Sequence, residues 1–373
     1  MASKATSIGS VIMSISFYNL KQQYADQKFE IMTAIHQVAE GGQYFADATV
    51  NRFESLVSAL YNRASVVGCN SGTSALTVAL MAAELPKNSI VVIPAMTYIA
   101  TANAVIAAGL IPLFIDIDDR WLMDYDHLEQ YLDLYSDKIS AVITVDLYGQ
   151  GVELKHYKTL CDSYNVKLIV DAAQSFELFY DYYHQIDHCD SLALSFNPLK
   201  NLGAMGNAGA VVSKNYTVDE LKKYTVHGKV DGDVSCWGFN NRIDAIQAAV
   251  LEVKYKKFDD NMKRKSEISW YYRQQLELLV EMPARNYSCT HTNYVFEIAP
   301  IDPIKMKLAL TVNQIGFASH YDKPLHHYSA YSKFKDFCPR ASKLEGRCIS
   351  LPNHWHLTDS DVDKIVHTVK SAL

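Results

Sequence analysis

KLIVDAAQS, residues 167–175, runs apolar for three residues after its lysine and then turns to a carboxylate, two alanines and two polar side chains. Similar runs stand on either side of it: IVVI at Ile90–Ile93, IPLFIDI at Ile111–Ile117 and AVITV at Ala141–Val145. Between them lie stretches with helical composition, Gly72–Leu85, Thr101–Ala108 and Lys155–Tyr164. Strands that are apolar throughout and alternate with helices belong to a mainly parallel sheet buried on both faces. The predicted class is α/β with a doubly wound sheet.

Further along, residues 240–280 read as one long helix rich in Ala, Gln, Glu and Lys, carrying the chain into a smaller α+β unit. The expected division is a large domain over 14–250 and a small one over 251–373, packed closely because no Pro-, Gly- or Ser-rich linker separates them. The 373 residues carry 49% hydrophobic and 20% charged side chains, ordinary for a globular enzyme. A net charge of −6 gives no electrostatic footprint for nucleic acid or an anionic membrane. No apolar run approaches the roughly 20 residues that span a bilayer. The seven cysteines are scattered and never in CxxC spacing, so reduced thiols are expected rather than a disulfide framework or a metal site. Residues 1–12 lack the pattern of a signal peptide, and Met13 resembles a natural start, so a cytoplasmic protein is expected.

Three segments carry candidate chemistry. In CNSGTSAL, Cys69–Leu76, small residues open an Ala/Leu-rich helix. Ser71, Gly72 and Thr73 suit either an ordinary capped start or a phosphate held by free backbone N–H groups and the helix dipole. Asp171 falls at the carboxyl end of KLIV, where open α/β sheets bind ligands. It suits either a helix N-cap or a carboxylate that keeps a ring nitrogen protonated. Lys200 stands in LSFNPLKNLGAMGNAG, Leu194–Gly209, among apolar and glycine residues. By composition alone it is a surface-loop lysine. A lysine that must form a Schiff base, however, needs rigid backbone and a setting that favours its neutral form. The order of phosphate turn, strand-end carboxylate and glycine-flanked lysine favours that second reading.

The blocks GCNSGTSAL, IPAMTYIATANAV, VDLYGQ, VDAAQSF, SFNPLKNLG, GFNNRIDAIQAAVL and HYDKPLH, met in this order after the opening SFYNLKQQY, resemble the DegT/DnrJ/EryC1/StrS family of sugar aminotransferases. The similarity runs from Ser16 to about Leu373. It implies fold type I of the pyridoxal-phosphate enzymes: a large domain with a mainly parallel mixed sheet flanked by helices, and a smaller α+β C-terminal domain. The implied cofactor is pyridoxal 5'-phosphate, held covalently by Lys200, which also moves protons between substrate and cofactor. Asp171 would pair with the pyridine nitrogen, Gln174 with the phenolic oxygen, and Tyr98 would stack on the ring. Ser71, Gly72, Thr73 and Ser195 would hold the phosphate. Asn240 would reach it from the partner subunit of a homodimer with shared active sites. Arg242 would take a substrate carboxylate, and His320 and Tyr321 would line the nucleotide-sugar site. No metal, nucleic acid or membrane partner is implied.

The implied reaction moves the amino group of L-glutamate to a keto sugar, with a dTDP- or UDP-linked 3-keto sugar favoured. A 4-keto-6-deoxy sugar is the alternative, and a non-enzymatic regulatory role a distant third. Lys200 argues against the dehydratases of the family, which carry histidine there. Three departures bear on the substrate. Asp322 stands where a proline is usual, and Asn207 replaces a carboxylate in Gly206–Gly209. Phe179, Tyr180, Tyr182 and Tyr183 replace a glycine-rich hairpin, which predicts a narrower sugar pocket beneath them. His326 and His327 are expected as exposed loop residues.

Overall fold

The apolar runs lie side by side in one seven-stranded sheet. Its order is Ser65–Cys69, Gly209–Ser213, Ser191–Ser195, Lys167–Asp171, Ile139–Val145, Ile90–Pro94, Ile111–Ile115. The computed structural model describes residues 14–45, 48–334 and 337–373. The readings of Met13 as a natural start and of residues 1–12 as lacking a signal peptide lie outside them. Pairings from Ser191–Ser195 through to Ile111–Ile115 are parallel. Gly209–Ser213 runs antiparallel to both its neighbours, so the sheet is mixed. Consecutive residues of Val91–Pro94 and Leu168–Asp171 are buried, as they must be when helices cover both faces.

Register decides what gathers at one edge. Asp171 pairs with Val145 on one side and Ala193 on the other. Gly209 pairs with both Ser195 and Cys69. The carboxyl ends of the central strands and the turn into the helix Gly72–Ala82 therefore meet at a single rim. That helix stops short of the expected Leu85. Glu84 takes a left-handed φ of 47°, and Leu85 precedes Pro86, a position that disfavours helical backbone.

Two larger apolar clusters make the interior. The first holds the sheet and its helices, together with residues between Leu325 and Cys348. Within it Phe196 meets Phe53 and Phe176 edge to face at 5.3 and 5.4 Å, and Phe176 meets Phe258 at 5.3 Å. Each such pair contributes about 0.5–1.5 kcal/mol beyond area burial. Phe176 follows the KLIVDAAQS loop and Phe196 follows Ser195, so the aromatic cluster anchors both rim segments from below. The second cluster joins Ile15 to residues from Ile268 onward, around the strands Phe296–Ile298 and Ile349–Leu351 and the helices Pro303–Val312 and Asp359–Ala372.

The single long helix expected over 240–280 is instead two, Ala245–Tyr255 and Phe258–Leu276, with non-helical backbone at Lys257. No glycine or proline marks the break. Packing sets it: Val250 and Val253 bury against Ile31, whereas Phe258 turns into the aromatic cluster. Among the described residues no helix is long and apolar enough to cross a membrane.

Candidate active site

At the rim lies a cavity of about 520 Å³, within the usual range for a small-molecule site. Ser71, Gly72, Thr73, Tyr98, Asp171, Gln174, Ser195, Lys200, His320 and Tyr321 all line it. Ser71 is the N-cap of the helix Gly72–Ala82, its hydroxyl accepting from the Ser74 N–H at 3.1 Å. The first N–H groups of an α-helix lack partners within it and carry the positive end of its dipole. A Cβ on Gly72 would come within 2.7 Å of the Ser195 Cβ, so only glycine lets the helix start approach Ser195 this closely. The result is a small cradle of N–H and hydroxyl donors suited to a phosphate.

Asp171 is not the helix cap that composition also allowed. Its Oδ2 accepts from Thr101 Oγ1 at 2.8 Å and its Oδ1 from the Ala173 N–H at 3.2 Å. Burial raises its carboxyl above the ordinary range, while those bonds and the Lys200 charge pull it back. A cation placed against it would favour the ionised form further. Lys200 ends the turn Asn197–Lys200: its N–H donates to the Asn197 carbonyl at 2.8 Å, with Pro198 at the position that favours such a turn. Its Nζ lies 4.3 Å from the centre of the Tyr294 ring. Gln174 accepts from the Tyr148 N–H at 2.6 Å and donates through Nε2 to the Tyr321 hydroxyl at 3.0 Å, leaving one Nε2 hydrogen for a ligand. Tyr98 is 51% exposed, with its ring 5.5 Å from that of Tyr321.

Behind Asp171 lies a second carboxylate, Asp146, bonded by Ser175 Oγ at 2.5 Å and by Gln185 Nε2. Burial pushes it up to about 7, with Asp171 adding in the same direction. The folded form therefore keeps a proton that the unfolded chain releases near pH 4. Across roughly pH 4–7 the native state binds more protons, so this group's contribution to stability falls as pH rises. The melting temperature of wild type relative to Asp146→Asn should decline over that window. A difference that stays flat with pH would mean Asp146 is ionised in the fold.

Asn240 and Arg242 do not line the cavity of their own chain. Asn240 is exposed, its carbonyl accepting from Asn70 Nδ2 at 3.1 Å. The Arg242 guanidinium sits 4.9 Å from the Phe45 ring, with Nε buried and without a partner.

Two expectations are corrected. The aromatic segment Phe179–Tyr183 does not roof the cavity: it forms a short hairpin elsewhere, with Tyr180 stacked on Tyr183 at 4.5 Å and donating to the Val152 carbonyl. Gly151 leaves room for the Tyr180 hydroxyl, which a Cβ there would meet at 2.5 Å. His326 is buried and bonded to Ser342 at 3.0 Å, and His327 is half-buried against Glu345 at 2.6 Å, so neither is a free loop histidine. Asn207 lines the cavity and accepts from Asn197 Nδ2 at 3.0 Å. Sequence reasoning missed Thr101 and Tyr294. Thr101 had a detectable signal, a threonine in the first turn of the helix after IPAMTY. Tyr294 had none, since it arrives from a distant loop.

An α/β scaffold with a phosphate cradle, a buried carboxylate and a loop lysine at one sheet edge has the parts of a cofactor-dependent group-transfer enzyme. The sequence profile of the DegT/DnrJ/EryC1/StrS aminotransferase family matches residues 25–370, and the chain belongs to that family of pyridoxal-phosphate-dependent aminotransferases. It is similar to a UDP-N-acetyl-3-dehydro-alpha-D-glucosamine 3-aminotransferase of Acidithiobacillus ferrooxidans, 28% identical over 96% of this chain and 98% of that one. It is similar also to a dTDP-3-amino-3,6-dideoxy-alpha-D-galactopyranose transaminase of Aneurinibacillus thermoaerophilus, 27% identical over 95% and 98%. The crystal structure of a DegT/DnrJ/EryC1/StrS aminotransferase from Brucella abortus superposes with a TM-score of 0.92 at 29% identity, covering 96% of this chain and 99% of that one.

Proposed function

We propose that this chain transfers the amino group of L-glutamate to C3 of a keto sugar linked to dTDP or UDP, for amino-sugar biosynthesis. The observation that carries this reading is the meeting of Lys200, Asp171 and the start of the helix Gly72–Ala82 in one cavity. Similarity to one enzyme named as a 3-aminotransferase of a UDP-linked 3-dehydro sugar and to another named for a dTDP-linked 3-amino sugar supports the position and the carrier. Pyridoxal phosphate, when bound, supplies the electron sink for the carbon that gains or loses nitrogen.

The protein's share is binding, orientation and proton movement. Ser71, Gly72, Thr73 and Ser195 hold the phosphate, and Asp171 keeps a proton on the ring nitrogen by its charge. Gln174 gives its spare Nε2 hydrogen to the phenolic oxygen, and Tyr98 covers the ring. Lys200 would hold the cofactor through Nζ, and the same amine would move protons at the reacting carbon. His320 and Tyr321 meet the sugar. Asn240 and Arg242 act across the boundary of a homodimer, Asn240 on the partner's phosphate and Arg242 on the glutamate carboxylate, where a bidentate fork suits the geometry. The orphaned Arg242 Nε and the exposure of Asn240 suit residues that act on a neighbouring subunit.

Glutamate alone should change the cofactor absorbance and release 2-oxoglutarate, and a 3-keto nucleotide sugar should restore the first spectrum. Restoration only by a 4-keto sugar, or by a sugar without a nucleotide, would disprove the C3 assignment. The shared site has its own test: mixing inactive Lys200→Ala with inactive Arg242→Ala should regain activity through mixed dimers holding one intact site. No recovery after demonstrated subunit exchange between folded variants would rule out sharing.

A further inference from the structure

Behind the sugar end of the cavity, polar side chains stand in line and end on a buried acid. His320 lines the cavity, and its Nδ1 lies 2.6 Å from Ser350 Oγ. Ser350 is fully buried and is hydrogen-bonded on to Glu297 Oε2. The strands Phe296–Ile298 and Ile349–Leu351 pair with Glu297 opposite Ser350, so backbone register holds this contact. Glu297 Oε1 is buried without a partner, and Glu297 forms no ion pair among the described residues.

An ionised carboxylate so placed would be a buried charge without compensation, which folded proteins avoid by neutralising the group. Burial does push the Glu297 carboxyl well above its usual range, and the Asp322 charge adds to this, outweighing the hydrogen bonds that Ser350 and the His320 backbone N–H would give an ionised carboxylate. Burial also pushes up the nearby Tyr18, Tyr148 and Cys348, which stay neutral and give Glu297 no countercharge. A neutral carboxyl has one hydrogen to place. Its Oε1 has no hydrogen-bond partner and its Oε2 lies against Ser350 Oγ, so that hydrogen goes from Oε2 to Ser350 Oγ. Ser350 then has its own hydrogen for His320 Nδ1, and the ring carries its proton on Nε2.

We infer that Glu297 and Ser350 are positioning residues that fix His320 in its Nε2–H tautomer, so that the ring offers a hydrogen-bond donor to the carbonyl oxygen of the acceptor sugar. The role toward the sugar rests on the proposed function, whereas the tautomer does not. Burial and the Lys200 charge push His320 down to about 4, so the ring is neutral at physiological pH. A neutral imidazole donor polarises a carbonyl without first having to lose a charge. The alternative wiring, with Nδ1 protonated and Nε2 bare, would make His320 an acceptor instead.

Nitrogen NMR of the holoenzyme labelled on histidine, without any sugar, reads the tautomer directly, the His320 signals being those lost in His320→Gln. Wild type should show Nε2 protonated and Nδ1 bare. Ser350→Ala and Glu297→Leu should lose this fixed tautomer and lower kcat roughly tenfold, the equivalent of one hydrogen bond, with little change in KM. Glu297→Gln, which keeps a donor and no charge, should restore what Glu297→Leu loses. Infrared difference spectra between wild type and Glu297→Gln should contain a neutral carboxyl band, a readout needing neither disruptive variant. A bare Nε2 in wild type, an unchanged tautomer in Ser350→Ala, or absence of that band would overturn the inference. An Nε2–H tautomer in a protein that aminates no keto sugar would leave the relay standing and remove the proposed function.

Discussion

Lys200→Ala should abolish turnover while leaving the fold and most of the cofactor affinity in place. A positioned acid–base group alone contributes about 10²–10⁴ in rate, and Lys200 would also supply the covalent link, so the loss should exceed that range. The cavity should survive because the turn carrying Lys200 is held by other groups. Asn197 accepts from the Lys200 N–H, and Asn201 Nδ2 donates to the Thr292 carbonyl at 2.7 Å. Purified wild type should carry cofactor that borohydride fixes to a peptide containing Lys200. The rival is Lys265, which burial pushes down to about 7 and thus toward the nucleophilic neutral form. Lys265 is nonetheless engaged by Asn201 Oδ1 at 2.6 Å and the Tyr294 carbonyl at 3.0 Å, and it does not line the cavity. Borohydride labelling at Lys265, or at any lysine other than Lys200, would sink the assignment.

Asp171→Asn should lower kcat by about 10²–10³, the size of effect seen when one preorganised electrostatic contact to a reacting group is removed. Asparagine keeps the shape, and its oxygen can still accept from Thr101 or Ala173, so the melting temperature should move little. What it lacks is the charge that, in the proposed function, would hold a proton on the ring nitrogen, without which the ring would be a weaker electron sink. Near-normal turnover in this variant would mean that another group protonates the ring.

Much of this was legible before any coordinates. Four of the seven strands announced themselves because both-face burial demands unbroken apolar runs, and Asp171 could be placed at a strand end for the same reason. Ser71–Thr73 were legible because a helix start with small residues is a local feature, set by neighbours along the chain. The break at Lys256–Lys257 was not legible, since neither residue prohibits helix and only the pull of Phe258 toward Phe176 and Phe196 interrupts it. The aromatic run Phe179–Tyr183 misled because residue type says what must be buried and not against what. Its burial partner was the Gly151–Val152 turn rather than the sugar pocket.

By itself, then, the sequence determined the α/β class and the order of the chemical segments, both properties of local pattern and spacing, whereas the roles of Lys200 and Asp171 came only as what the family resemblance implies. Only the tertiary structure decided which distant groups complete them. Thr101 reaches Asp171 across 70 positions of chain, and Tyr294 comes to Lys200 from the segment between the helix Phe258–Leu276 and the strand Phe296–Ile298. Glu297 meets Ser350 through strand register. Such contacts depend on backbone pairing and side-chain burial between remote segments, and no periodicity within either segment encodes them.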